Sequence, residues 1–379
     1  MGIYLDHAAT TPVYPEVVDL MLPYLQQVYG NPSSTHRLGR QTKGEIERAR
    51  TIVAHSFGAT GRQLVFTSGG TEADNLALIG AAFANRERGN HIITTSVEHH
   101  AVLHTCQYLQ EQGFEVTYLP VDETGRIRLE DLKAAIKETT ILISMMYGNN
   151  EVGVLQPIAE VAELAKETGV LVHTDAVQAF GVEQIDVNTL PVDLLSVSGH
   201  KIGGPKGIGA LYIRENVKFS AQLHGGAQER QRRAGTENVP GIVGFAKAVQ
   251  LAQQSLTERR EKYLAIRNVM LETWQLEGVE YEVNGHRQAF LPHVLNVSFP
   301  KVDTEIMLMN LDLEGVFCSS GSACSAGSLE VSHVLQAMRL SEDRLRSAVR
   351  FSFGWNNTIE EGRVAAQKTA AIIKRLTDR

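Results

Sequence analysis

Residues 194–205 read LLSVSGHKIGGP, an apolar run that breaks into Ser198-Gly199-His200-Lys201 and then a glycine-rich turn. Such a run is a short buried strand, and the glycines behind it let the backbone turn sharply. The last residue before the turn is a lysine. An amine drawn out of water loses part of its preference for the charged form and becomes a nucleophile toward a carbonyl or aldehyde. A loop lysine in water does none of this, so the surroundings of Lys201 decide.

Outward from this strand the pattern repeats. Strands are expected at 63–66, 91–95, 115–119, 141–146, 170–174, 193–197 and 209–213, with helices at 75–86, 100–112, 129–137 and 157–168. Alternation of this kind specifies an α/β fold with a mainly parallel sheet covered on both faces. Upstream, residues 3–11 form a short strand or extended arm, and helical spacing follows at 15–29 and 36–57. Past residue 214 the rhythm breaks. A Gly- and Arg-rich loop at 224–235 precedes one long helical pattern at 239–276. Strands at 293–299 and 346–353 with helices at 304–314 and 359–376 then make a smaller α+β unit.

Composition sets limits on the partners. The 379 residues are 43% hydrophobic and 21% charged, with a net charge of −7, which suits a folded protein and disfavours a nucleic-acid surface or a polybasic membrane patch. The first residues lack a basic segment followed by an apolar one, and no apolar run reaches membrane-spanning length, so a cytoplasmic protein is expected. Cys106, Cys318 and Cys324 form no CxxC pair, as suits a reducing compartment.

In a parallel sheet, ligands sit where the strands end, and the residues leaving these strands are unusually polar. Ser68-Gly69-Gly70-Thr71 opens a helix and offers free backbone N–H groups to an anion. It is neither GxGxxG nor GxxxxGK[ST], so a nucleotide is not specified. His99 and His100 leave the second strand. His100 and His104 have metal-pair spacing but lack a third ligand, and a histidine here suits ring stacking or proton transfer better. Asn149 and Asn150 leave the fourth strand and Asp175 the fifth. Gln178 faces the same way as Asp175 if a helical turn follows. Anion cradle, histidine, buried carboxylate, amide and strand-end lysine together match the needs of pyridoxal phosphate: a phosphate site, a partner for the ring nitrogen and an amine for the aldehyde. In SSGSACSAG (319–327), Cys324 stands among small residues rather than the large apolar neighbours of a structural thiol, which favours a reactive role. Cys106 and Cys318 read as core.

The motifs SGGTEADN, EHHAV, NNEVG, HTDAVQ, SGHKIGGPKG, RAGTEN and SSGSACSAG, in this order and spacing, resemble the NifS/IscS type of cysteine desulfurase within the class-V aminotransferase-like family of pyridoxal-phosphate enzymes. The resemblance runs through essentially the whole chain. It implies a fold-type I transferase with a seven-stranded, mainly parallel sheet in a large cofactor domain (13–257). A small domain (1–12 and 258–379) would carry a mobile cysteine loop at about 317–329. By the same resemblance Lys201 forms the Schiff base with the cofactor, Asp175 pairs with the ring nitrogen, Gln178 bonds the phenolic oxygen and His99 stacks on the ring. Gly70, Thr71, Ser198 and His200 would hold the phosphate, joined by Thr236 from the second subunit of a homodimer. Asn150 and Arg350 would hold the substrate carboxylate. The implied reaction turns L-cysteine into L-alanine and leaves a persulfide on Cys324. An iron–sulfur scaffold or a tRNA-thiolation enzyme would accept the sulfur. A selenocysteine lyase or another class-V aminotransferase would share the cofactor residues without needing Cys324.

Overall fold

The computed structural model describes residues 2–321 and 331–377. The chain opens with strand β1 (Ile3–Tyr4) and helices α1 (Pro15–Gln26) and α2 (Arg37–His55). It then enters the alternating region: β2 (Leu64–Thr67), α3 (Gly70–Ala84), β3 (His91–Thr95), α4 (His100–Glu111), β4 (Glu115–Leu119), α5 (Leu129–Ala135), β5 (Thr140–Ser144), α6 (Ile158–Thr168), β6 (Leu171–Asp175), β7 (Leu194–Ser198) and β8 (Gly209–Ile213). These strands make one seven-stranded sheet in the order β2-β8-β7-β6-β5-β3-β4. The pairings from β7 through β6, β5 and β3 to β4 are parallel, while β8 is antiparallel to both β7 and β2.

The sheet is apolar on both faces because helices cover both. Leu64, Phe66, Ile93, Ile143 and Val197 pack into one cluster, and Val65, Ile92, Leu142, Leu194 and Leu211 into the other. This two-sided burial produces the unbroken apolar runs of the sequence. Helix α6 stops at Gly169, whose φ of +68° places it in the left-handed region that glycine adopts without strain.

The rest of the chain comprises α7 (Val239–Gln254), α8 (Leu256–Leu276), β9 (Glu282–Asn284), β10 (Val294–Ser298), α9 (Thr304–Leu313), β11 (Val316–Phe317), α10 (His333–Ala337), α11 (Glu342–Arg346), β12 (Ala348–Ser352) and α12 (Ile359–Thr377). Strands β12, β10 and β9 form an antiparallel sheet, and β1 pairs in parallel with β11. Three expectations are corrected. The helix expected at 75–86 starts at Gly70, so Gly70 and Thr71 belong to its first turn. The pattern at 239–276 is two helices, because Ser255 ends α7 and begins α8. The arm at 3–11 is strand only at Ile3–Tyr4, and the remainder lies across the ends of the central strands.

Candidate active site

The carboxyl ends of β2, β6 and β7, with the segments leaving β3 and β5, converge on one cavity of about 370 Å³. Gly70, Thr71, His99, Asn150, Asp175, Gln178, Ser198, His200, Lys201 and Arg350 all line it. The structure thus gathers ten of the twelve site residues expected from sequence. Thr236 is not among them. It lines a separate depression with Thr67, Ser68 and Gly235, away from the cavity of its own chain. Cys324 lies outside the described residues, although Gly321, three positions before it, forms part of the cavity wall.

One wall is the first turn of α3. Its opening N–H groups face the rim, and the strand-end turn comes close because Gly209 has no side chain: a Cβ there would meet Gly69 at 2.8 Å. Opposite, the Ser198 hydroxyl is buried and has no hydrogen-bond partner among the described residues. A buried polar atom left in this state marks a position completed by a ligand. A helix N-terminus and an uncommitted hydroxyl form an anion cradle.

The floor carries charge. The Asp175 carboxylate accepts from Val177 N at 2.9 Å and is buried. Burial pushes its pKa up, against the pull of the Val177 amide and the Lys201 charge. Asp74, one turn into α3 and on the cavity wall, is also buried, and burial together with the charge of Asp175 holds its carboxyl well above the usual range. Behind them His173 spans Ser144 Oγ (2.9 Å) and Ser196 Oγ (3.0 Å), and burial pushes its pKa down to about 3. His99 caps α4 by accepting from Ala101 N at 3.1 Å through Nδ1. Burial first, and then the charge of Lys201, bring it down to about 4, so at neutral pH it presents an uncharged ring.

The N-terminal arm forms the last wall. Lys201 Nζ donates to the carbonyl oxygens of Ala9 (2.8 Å) and Ala8, and Gln178 Nε2 donates to Ala8 O at 2.9 Å. Arg350 Nη2 donates to Asp6 Oδ1 at 2.7 Å, and Nη1 donates to Asn150 O at 3.0 Å. The sequence reading missed Asp6, Ala8, Ala9 and Asp74. Asp74, one turn into the helix behind the glycine pair, carried a weak signal: an acid near the start of a helix reads as exposed and dipole-stabilising, not as buried.

The cavity meets the demands of pyridoxal phosphate from this chain's own atoms: an anion cradle with an orphaned hydroxyl, a buried carboxylate, a neutral imidazole and a lysine amine. Fold and site together define a pyridoxal-phosphate enzyme, and the chain belongs to the class-V aminotransferase family, matched over residues 3–362. It is 50% identical to the cysteine desulfurase IscS of Methanosarcina thermophila over 375 residues, covering 99% of this chain and 93% of that one. Among solved structures it resembles a NifS-like protein (TM-score 0.93, 37% identity, 99% of this chain and 100% of that one). It also resembles SspA in complex with cysteine (TM-score 0.81, 37% identity, 93% and 98%).

Proposed function

We propose that this chain is a pyridoxal-phosphate-dependent cysteine desulfurase that converts L-cysteine to L-alanine and passes the sulfur through a persulfide on Cys324 to an acceptor protein. The observation that carries the reading is the convergence of Lys201, Asp175 and the first turn of α3 on one cavity, from whose wall Gly321 leads toward the cysteine-bearing segment. The relatives named as cysteine desulfurases support the choice of substrate.

Gly70, Thr71, Ser198 and His200 would hold the cofactor phosphate, and Asp175 would pair with the ring nitrogen. Bound there, the cofactor supplies an electron sink for the substrate α-carbon. The chain's residues do the rest. Lys201 would be the amine that anchors the cofactor and the base that moves the α-proton, its Nζ oriented by the carbonyl oxygens of Ala8 and Ala9. His99 would stack on the ring, and its neutral imidazole could take or return a proton there. Arg350 and Asn150 would hold the substrate carboxylate, and the Cys324 thiolate would attack the substrate sulfur, the new S–S bond forming as the Cβ–S bond breaks and leaves its electron pair on Cβ, which a proton then completes to alanine.

We assign residues 13–257 to a large domain and residues 1–12 with 258–379 to a small one, a division supported by the separate seven- and three-stranded sheets. We also propose a homodimer, in which Thr236 completes the partner's phosphate site. Its place in a depression separate from the cavity of its own chain supports this, as do the exposed Val18, Leu22, Leu25 and Tyr29 along α1 and the segment after it. A reducing cytoplasm suits Cys106 and Cys318, which are both free. Either an iron–sulfur scaffold or a tRNA-thiolation enzyme fits as the acceptor.

The test is incubation of purified protein with L-cysteine, following alanine and sulfide. Wild type should release both, whereas Cys324→Ser should keep its bound cofactor and make no sulfide. Full sulfide production by that variant would remove Cys324 from the mechanism.

A further inference from the structure

Arg350 already has a carboxylate partner in the chain. Its side chain is 3% exposed, and the Asp6 carboxylate bonded to Nη2 is 20% exposed. Nη1 is committed to a backbone carbonyl, while the buried Nε has no hydrogen-bond partner among the described residues. The arm bearing Asp6 is fixed on both sides. Leu5 N donates to Phe317 O at 2.7 Å, and Ser352 N donates to Leu5 O at 2.7 Å. The backbone of Asp6 is therefore held beside Arg350 when a ligand arrives.

We propose that Asp6 is a positioning and specificity residue: a resident carboxylate that shares Arg350 with the incoming amino acid, weakens its hold on any one carboxylate and rejects a ligand bearing a second. The proposal rests on the reading of Arg350 as the carboxylate anchor. A free guanidinium offers a carboxylate two parallel donors. Here the edge left for a ligand is Nε and the remaining N–H of Nη2, so the ligand's carboxylate must lie beside that of Asp6. The Arg350–Asp6 pair is neutral before the ligand binds, and the bound state carries two negative charges on one positive group. This arrangement has two consequences. A monocarboxylate product is released readily, because the resident Asp6 already offsets the guanidinium charge that would hold it. An amino acid with a side-chain carboxylate, the substrate type of many transaminations, would bring a third negative charge to a cavity where Asp6 already offsets Arg350, a juxtaposition that suppresses wrong ligands.

The test is a binding titration of the holoenzyme with L-alanine and L-aspartate, read from the visible absorption of the bound cofactor, in wild type, Asp6→Asn and Asp6→Glu. Asp6→Asn should bind L-alanine roughly tenfold more tightly and L-aspartate more tightly still, as expected when a like charge is removed beside an ion pair. Asp6→Glu, which keeps the charge, should restore the wild-type order. Equal constants in all three proteins, or weaker binding in Asp6→Asn, would overturn the proposal. If Asp6→Asn does not fold, Asp6→Ser is judged by the same criteria. Arg350→Ala separates the two assignments. Discrimination between the ligands that persists in this variant would overturn the role of Arg350 itself, whereas its loss there, combined with no effect at Asp6, would overturn only the present inference.

Discussion

Glu98 is fully buried directly before His99. Its carboxyl accepts from Thr95 Oγ1 at 2.7 Å and from Met146 N at 2.9 Å, with no cation in the bonding set. Burial pushes its pKa up from 4.5 to about 8. Between these two values the folded protein keeps a proton that the unfolded chain has released, so stability falls as pH rises through the interval. At about 1.4 kcal/mol per pH unit, one such group removes about 3 kcal/mol between pH 6 and pH 8. Glu98→Gln has no proton to lose. Its amide can still accept from Met146 and donate to the Thr95 hydroxyl. Urea unfolding of both proteins at pH 6, 7 and 8 should therefore show wild type losing stability relative to the variant by an amount of this order. Only below about pH 4.5, where both states hold the proton, should the two curves run parallel. If the difference between the proteins stays flat from pH 6 to 8, Glu98 is ionised throughout and the reasoning from burial is wrong.

Lys201→Ala should abolish the visible absorption of the purified enzyme, checked by a spectrum alongside wild type; an unchanged spectrum would reassign the cofactor's anchor. On the acid side, burial pushes His173 and His293 down to about 3, so both stay neutral while the unfolded chain takes up protons below about 6.5. Stability should accordingly fall as pH drops from 6.5 toward 4, by roughly 2 kcal/mol per histidine by pH 5. Denaturant midpoints at pH 7 and pH 5 of the Glu98→Gln variant, which lacks the opposing contribution of Glu98, would check this.

Much of this site was legible because chemistry and topology agree locally. The strand ends at Thr67, Thr95, Ser144, Asp175 and Ser198 were read to within two residues from apolar runs alone. The errors at the boundaries have separate causes. The ladder Asp175↔Ser196 continues the pairing of β6 and β7 into polar residues, since backbone hydrogen bonds are indifferent to side-chain polarity. The start of α3 was placed too late because Gly70 and Thr71 are poor helix formers, and the tertiary setting overrides that preference. The antiparallel direction of β8 follows from the short connection at 199–208, which cannot carry a parallel crossover. What the sequence could not disclose are pairings across great separation: Asp6 with Arg350, or Arg50 with Glu229, where both guanidinium nitrogens meet one buried carboxylate.

Those long-range pairings explain why the start of the chain belongs to the site although its residues carry no obvious chemistry. Thr11 accepts from Gly203 N at 2.9 Å and donates to His200 O at 2.8 Å, so the arm grips the turn that carries Lys201 on both sides. Ala8 and Ala9 supply carbonyl oxygens to Lys201, and Asp6 supplies its carboxylate to Arg350. A few residues earlier the same arm pairs, as β1, with β11, and the chain then runs through Cys318 to Gly321 on the cavity wall. The lysine turn, the carboxylate anchor and the approach to the cysteine segment are thus referenced to one stretch of backbone. A change that loosens the arm would disturb all three together, whereas a change at Asp6 alone alters only the charge that Arg350 sees. That difference allows binding selectivity at Arg350 to be separated from general loss of the site.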